Sequence, residues 1–223
     1  MPDWVLGPSE IARAFAAAIE AGDLLPHIAA SLTRSIPGFV LGTLAGVALG
    51  LLAGVSRLAD AMLSPSIFLS YPVPKIVMLP IVMVWFGIGD ASKVVIIALA
   101  CFYPAFINAY YGARSTRALL VWSALNMGAQ PRHLFWKVVV PSALPMTLSG
   151  VRIALALSFI LLFAAEMVGA RSGLGYLIKQ SENSLRFDLM YVSIITIAAL
   201  GSLGDALLRA AGRRLVRWQE QRA

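Results

Sequence analysis

Residues Ile36 to Val55 run for twenty positions without one charged side chain. At 1.5 Å per residue a helix of about 20 apolar residues spans the roughly 30 Å of a bilayer's hydrocarbon core. Four more stretches are apolar over a similar length: about Ser66 to Phe86 with Lys75 as its one charge, the uncharged Val94 to Ala113, roughly Met146 to Met167 with Arg152 and Glu166, and about Leu189 to Leu208 with Asp205. With 59% hydrophobic and only 13% charged residues in 223, the chain has more apolar surface than one soluble domain of its size can bury. The excess must face lipid. A cytosolic globular enzyme, a disulfide scaffold and a disordered chain are thereby excluded. The expected fold class is all-α: a polytopic membrane helical bundle of about five spans with a protruding cytoplasmic loop.

The net charge of +7 would suggest nucleic acid in a soluble protein, but here it records where loops lie. The connection from Gly112 to Pro145 holds Arg114, Arg117, Arg132 and Lys137 and no acid, and the tail after Leu208 holds five arginines against Glu220. Two spans separate these clusters, so both can face the cytoplasm. The turn Gly87 to Ser92 and the stretch Ala170 to Asp188 then lie outside, with residues 1–35, where four acids face Arg13 and Arg34. The expected organisation is an outside N-terminal segment over 1–35, a membrane-spanning domain over 36–208 containing the loop 113–145, and a basic cytoplasmic tail over 209–223. Met1-Pro2-Asp3-Trp4 lacks the basic region and apolar run of a signal peptide. An outside acidic tail of this length is expected either to cross the membrane unaided or to follow a further span that the sequence does not include. Ser9 to Gly22 reads as a short helix, capped by Ser9, that either lies on the membrane surface or packs on the ends of the spans.

Gly38, Gly42, Gly46, Gly50 and Gly54 repeat at intervals of four in the first span. Such rows let helix backbones approach closely in lipid. Each step of four drifts about 40° around the helix, so a steeply crossing partner or two different neighbours are expected rather than one straight partner. In the second span Pro72, Pro74 and Pro80 remove backbone donors, and Lys75 brings a charge to membrane depth. Irregular backbone with a charge at that depth belongs either to a cavity lining or to a lysine snorkelling from a span that starts later.

Catalytic chemistry is not visible. There is no phosphate loop, and Gly87-Ile88-Gly89-Asp90-Ala91-Ser92-Lys93 lacks the second glycine directly before its lysine. His27 and His133 are assigned to opposite faces, and the lone Cys101 lies in an apolar run. No metal or other cofactor is expected. Arg152 reads as an anchor at the cytoplasmic end of its span, and Asp205 and Arg209, spaced i,i+4, read as a pair.

The loop is more informative. Arg117 to Met127 has helical character with Gly128 placed to end it, and Pro131 suits the first turn of a second helix that Pro141 would interrupt or end. Trp122, Met127, Leu134 and Phe135 give this protrusion an apolar surface, suited to a partner or to folding back on the bundle. Ser123-Ala124-Leu125-Asn126-Met127-Gly128-Ala129, followed by Val138 to Pro145, resembles the "EAA" coupling loop of binding-protein-dependent ABC importer permeases. Ser31 to Arg34, Gly38-Phe39, Tyr71 to Pro74, Trp85 to Lys93, Gly150 to Ile153, Ala165-Glu166 and Gly173 to Tyr176 are similar to the nitrate/sulfonate/taurine branch of that family. The family's loop glutamate falls at Trp122, so any ion pair it makes is lost here. Members of the branch usually carry one more span at the start.

The resemblance implies a non-enzymatic transport subunit of the bacterial inner (plasma) membrane that moves a small anion such as a sulfonate, taurine or nitrate. Its partners would be a separate ATP-binding cassette subunit, a second copy of the permease, an extracytoplasmic solute-binding protein and membrane lipid, with no nucleic acid. It places Trp122, Ser123, Ala124, Asn126, Gly128, Ala129, Arg132 and His133 at the ATPase-docking loop, and Tyr71, Pro74, Lys75 and Glu166 along the translocation path. A membrane-embedded scaffold or lipid-acting enzyme is the alternative, though the latter lacks a visible catalytic constellation.

Overall fold

The computed structural model describes residues 6–216. Asp3 and the rest of the opening Met1-Pro2-Asp3-Trp4, and Arg217, Glu220 and Arg222 of the tail, lie outside the described residues. Ten α-helices carry the described chain: α1 (Pro8–Glu20), α2 (Leu24–Val55), α3 (Arg57–Ser70), α4 (Leu79–Phe86), α5 (Asp90–Arg114), α6 (Ala118–Asn126), α7 (Pro131–Leu134), α8 (Val140–Gly169), α9 (Leu174–Asn183) and α10 (Phe187–Leu215). A 3₁₀ turn, Lys75–Met78, leads into α4, and a π-helical turn, Phe135–Val139, joins α7 to α8. Among the described residues four continuous helical stretches are long and apolar enough to cross a membrane, and α3 with the Lys75–Phe86 segment makes a fifth if that bent pair is one span. The expected bundle of about five spans is what the chain forms.

Long-range contacts divide the chain into two compact units. One takes in the chain as far as Phe39, with Pro74–Ala98 and Ala156–Gly204; the other takes in Val40–Val73, Leu99–Leu155 and the chain from Asp205 onward.

In the first unit, α1 is capped two residues earlier than expected. Gly7, not Ser9, is the N-cap, with Pro8 in the first turn and the Glu10 carboxylate accepting from the Gly7 N–H at 2.8 Å. Gly22, at φ +75°, follows its end. Phe15 and Ala18 pack with Leu24, Leu174, Leu177 and Val192, so of the two expectations for this helix, packing against other helices is the one realised. The next helix begins at Leu24, well ahead of the charge-free run from Ile36, and includes His27, Ser31 and Arg34. Those polar residues are helical because their side chains find partners within the unit.

In the second unit α2 packs on α5 through its glycines. A Cβ added at Gly46, Gly50 or Gly54 would stand 2.9, 3.0 or 2.6 Å from the Cβ of Ala105, Ala109 or Ala113. In the first unit one at Gly38 would stand 2.8 Å from the Cβ of Ile97. The partner's number is always 59 higher, so both helices present rows spaced by four and run in the same direction. A single partner thus takes four of the five glycines, and two neighbours are not needed. Of the two alternatives, one inclined partner is the one that fits: a neighbour that follows the i+4 row keeps meeting it as it drifts around α2, which a partner aligned with the axis could not.

The core of the second unit is aromatic. Phe106 and Tyr110 stack at 6.0 Å, with Phe68 edge-on to both. Pro141 does not end the helix begun at Pro131, because the helical chain runs from Pro131 to Gly169. The π turn at Phe135–Val139 immediately precedes Pro141, and its altered carbonyl pattern accommodates a ring that regular α-helix would exclude.

Candidate functional site: a surface loop and a buried ionic clamp

The loop is built on a glycine turn. After α6 the chain passes through Met127 to Gly128, whose φ of +79° is a left-handed conformation that side chains with a Cβ resist. The Gly128 N–H donates to the Leu125 carbonyl at 2.9 Å, and the Ala129 N–H reaches back to Ala124 at 3.0 Å. This double closure satisfies the last carbonyls of α6 and ends the helix abruptly. Gln130 is extended and Pro131 opens α7, with the Leu134 N–H donating to Gln130 at 2.9 Å.

Most of the expected docking residues are therefore on one short protrusion. Trp122 is 64% exposed and Met127 81% exposed. Ser123, Asn126, Gly128, Arg132 and His133 are exposed too; Ala129 is half-buried and Ala124 faces inward. Leu134 and Phe135 are half-buried, and Phe135 packs toward Ala113, Val139 and Ala143, so the apolar surface is narrower than the sequence suggested. Trp136, 60% exposed, adds to it. Behind α6 a cleft of about 540 Å³ is lined by Arg117, Leu120, Met127, Lys137 and Pro141. Near the base, Asp60 of α3 accepts from the Tyr110 hydroxyl at 3.0 Å and from Arg114 at 2.9 Å, and Arg114 also donates to the Tyr110 hydroxyl.

Of the residues expected along the path, Tyr71 belongs to the second unit and Pro74, Lys75 and Glu166 to the first. Tyr71 caps α3, is 52% exposed and lies 6.2 Å from the Tyr103 ring. Pro74, exposed and extended, precedes the 3₁₀ turn that holds a half-buried Lys75.

Glu166 is different: its side chain has no exposed surface and it is the centre of a cluster not anticipated from sequence. The Arg34 guanidinium donates to Glu166 Oε1 at 2.7 Å, to Asp90 Oδ1 at 2.6 Å, and to the carbonyl and hydroxyl of Ser172 at 2.6 and 2.9 Å. Ser31 Oγ lies 2.9 Å from both oxygens of Glu166 and accepts from the Leu174 N–H at 2.8 Å. The Gly175 N–H donates to Glu166 Oε2 at 2.9 Å, so the carboxylate also sits at the positive end of α9. Backbone must come very close for this. Gly173 is at φ +113°, and a Cβ there would fall under 3.0 Å from the Glu166 carboxylate, while one at Gly175 would stand 2.8 Å from Glu166 Cβ.

Two further groups complete the cluster. Lys93, 1% exposed, donates from Nζ to the carbonyls of Ile88, Gly89 and Gly169 at 3.2, 3.0 and 3.0 Å. His27 Nδ1 accepts from the Gly173 N–H at 3.0 Å, and its ring stacks on Tyr176 at 5.9 Å. Two cations and two carboxylates balance, and the buried donors and acceptors are paired. The arrangement suits a structural clamp joining α2, α5, α8 and the start of α9 more than an acid–base site. Among the described residues no group of three or more His, Cys, Asp or Glu is placed to hold a metal ion.

The family model described as "Binding-protein-dependent transport system inner membrane component" matches residues 42–217. SsuC of Escherichia coli (strain K12), which carries the name of an aliphatic sulfonates transport permease protein, is 38% identical over 211 residues, covering 95% of this chain and 80% of that protein. The taurine transport system permease protein TauC of the same organism is 37% identical over 195 residues, 87% of this chain and 71% of that protein. Among solved structures, a chain of the MetNI methionine ABC transporter in an inward-facing form superposes with a TM-score of 0.68 at 22% identity, over 87% of this chain and 94% of that one. That likeness concerns the fold alone. Together with the apolar spans and the glycine-turned loop, these matches make the chain a non-catalytic, multi-pass transport permease subunit of the inner membrane, belonging to the binding-protein-dependent transport system inner membrane component family.

Proposed function

We propose that this permease moves a small sulfonate-type anion, in the class of taurine and alkanesulfonates, inward by alternating access driven by ATP hydrolysis on a partner. It works as a pair of identical subunits, with an ATP-binding cassette subunit beneath each and a solute-binding protein delivering the solute from outside. Loop 113–145 and the basic tail face the cytoplasm; residues 1–35 and the connection 170–188 face outward, following the positive-inside rule. The solute class rests on the names of relatives that share more than a third of their aligned residues with this chain.

The observation that carries the coupling step is the α6–Gly128–α7 turn with Trp122 and Met127 exposed on it. A rigid, apolar-tipped protrusion suits a groove on an ATPase: closure of the ATPase pair displaces the tip, and the continuous helical chain from Pro131 to Gly169 transmits the movement. Arg132 and His133 supply donors for acidic or carbonyl groups in that groove. Tyr71, Pro74 and Lys75, where the second span is broken, line the path; Glu166 supports it as the anchor of the buried clamp.

Gly128→Val tests this reading. An added Cβ has nothing within 4 Å, so the main cost of the exchange, about 1–2 kcal/mol, comes from the left-handed backbone. Vesicles carrying the permease, the ATPase and the binding protein should retain membrane-inserted complex and ATP hydrolysis but lose taurine or alkanesulfonate uptake. Normal uptake by the variant refutes the coupling role, and wild-type uptake indifferent to every sulfonate offered refutes the solute class.

A further inference from the structure

Three arginines converge on one groove between α8 and α10. The groove, about 260 Å³ in volume, has Leu148, Val151 and Leu208 along its apolar walls and Arg152, Arg209 and Arg213 at its polar edge. Asp205 accepts from Arg152 at 2.9 and 3.4 Å and pairs with Arg209 at 2.7 Å. One carboxylate thus organises two guanidinium groups but neutralises only one. Arg213, a turn beyond Arg209, is exposed and has no ion pair among the described residues. Three arginines against one aspartate leave a formal charge of +2 around the groove.

We propose that this groove binds the headgroup of an anionic phospholipid, its phosphate between Arg209 and Arg213 and its first acyl carbons along Leu148, Val151 and Leu208. Two features favour a lipid over a free anion. The walls are apolar where a soluble anion would need donors, and the one wall hydroxyl, Ser149, already donates to the Pro145 carbonyl at 3.2 Å. The arginines lie where a membrane helix gives way to a basic tail, the depth of a phosphate layer. Net positive charge selects an anionic headgroup over a zwitterionic one. Gly212 keeps the groove open, for an added Cβ would already touch Leu148 Cδ1 at 3.6 Å and a larger side chain would fill the space.

The experiment titrates dioleoylphosphatidylglycerol, dioleoylphosphatidylcholine and inorganic phosphate into the detergent-purified permease–ATPase complex, reading bound lipid by native mass spectrometry. Phosphatidylglycerol should bind at least about ten-fold more tightly than phosphatidylcholine, and Arg209→Gln and Arg213→Gln should each weaken it about five-fold. Gly212→Leu should abolish the preference with no change of charge. Arg214→Gln removes the same charge one residue away, outside the groove, and should leave the affinity within about two-fold of wild type. Equal affinity for the two lipids overturns the proposal, as does equal sensitivity to Arg214→Gln, which would mean diffuse attraction. Displacement of the lipid by millimolar phosphate would mean a free-anion site and overturns it too, and so would a complex that takes up no lipid because a partner subunit covers the groove. The readout involves no transport, so it stands or falls separately from the solute and coupling readings.

Discussion

Arg34→Met strips the buried clamp of its central cation while retaining a side chain of similar length. Glu166, with no exposed surface, would keep only the Ser31 hydroxyl and the Gly175 N–H, and Ser172 would lose both of its bonds to the guanidinium. Asp90 would also lose its partner, but at 66% exposure water replaces it cheaply. Leaving one member of a buried pair uncompensated costs about 3–5 kcal/mol. For a chain of this size each kcal/mol lowers the melting temperature by about 2–4 °C, so the variant should melt about 6–20 °C below wild type in detergent. Adding Glu166→Leu removes the stranded carboxylate and should recover at least half of that loss, since deleting both charges is far less costly than deleting one. Size-exclusion chromatography of heated samples, read by fluorescence, measures all three proteins. A single variant within about 2 °C of wild type, or a double variant no better than the single, would refute the view that the clamp holds its helices through charge.

Two other expectations concern packing and orientation. Gly50→Val pushes a branched side chain against the backbone carbonyl of Phe106 and the Cβ of Ala109, neither of which can rotate away; it should cost at least about 1–3 kcal/mol and sharply reduce monodisperse protein, whereas normal yield and melting would mean that α2 and α5 are not in close contact. In a Cys101→Ser background a cysteine at the exposed Gly89 should react with an impermeant reagent added outside intact cells while one at Arg117 should be protected, and the opposite pattern would reverse the assigned orientation.

The spans were legible because membrane depth demands long, predominantly apolar runs, and the glycine turn because a residue without a Cβ settles most readily at the φ of Gly128. The clamp was not. Arg34, Asp90 and Glu166 are separated by 56 and 132 residues from their partners in the cluster, and each alone reads as an interfacial charge at the end of a span. A clue was present: charge topology put Arg34, the Asp90–Lys93 segment, the end of the span holding Glu166 and the Gly173 turn on the same face. Local pairing was easier to read than distant pairing, as Asp205 illustrates. Its i,i+4 bond to Arg209 follows from helical geometry, whereas its bond to Arg152 depends on how α8 meets α10. The first long helix was foreseen too short, because its polar beginning gives no hint that Ser31 and Arg34 have buried partners.

The constant offset of 59 between α2 and α5 also restricts which changes of length these helices can absorb. One residue inserted between Gly46 and Gly50 would turn everything beyond it by about 100°, carrying Gly50 and Gly54 off Ala109 and Ala113 and presenting bulkier neighbours in their place. A compensating insertion in α5 at the matching point would restore the alignment; one elsewhere would not. An insertion of four residues, which rotates the rest by only about 40°, is the smallest single lengthening that keeps a glycine row near its partner. Homologous chains should therefore vary in length in their connecting loops and at helix ends, while between Gly46 and Gly54 the two helices gain or lose residues together or in steps of a full turn.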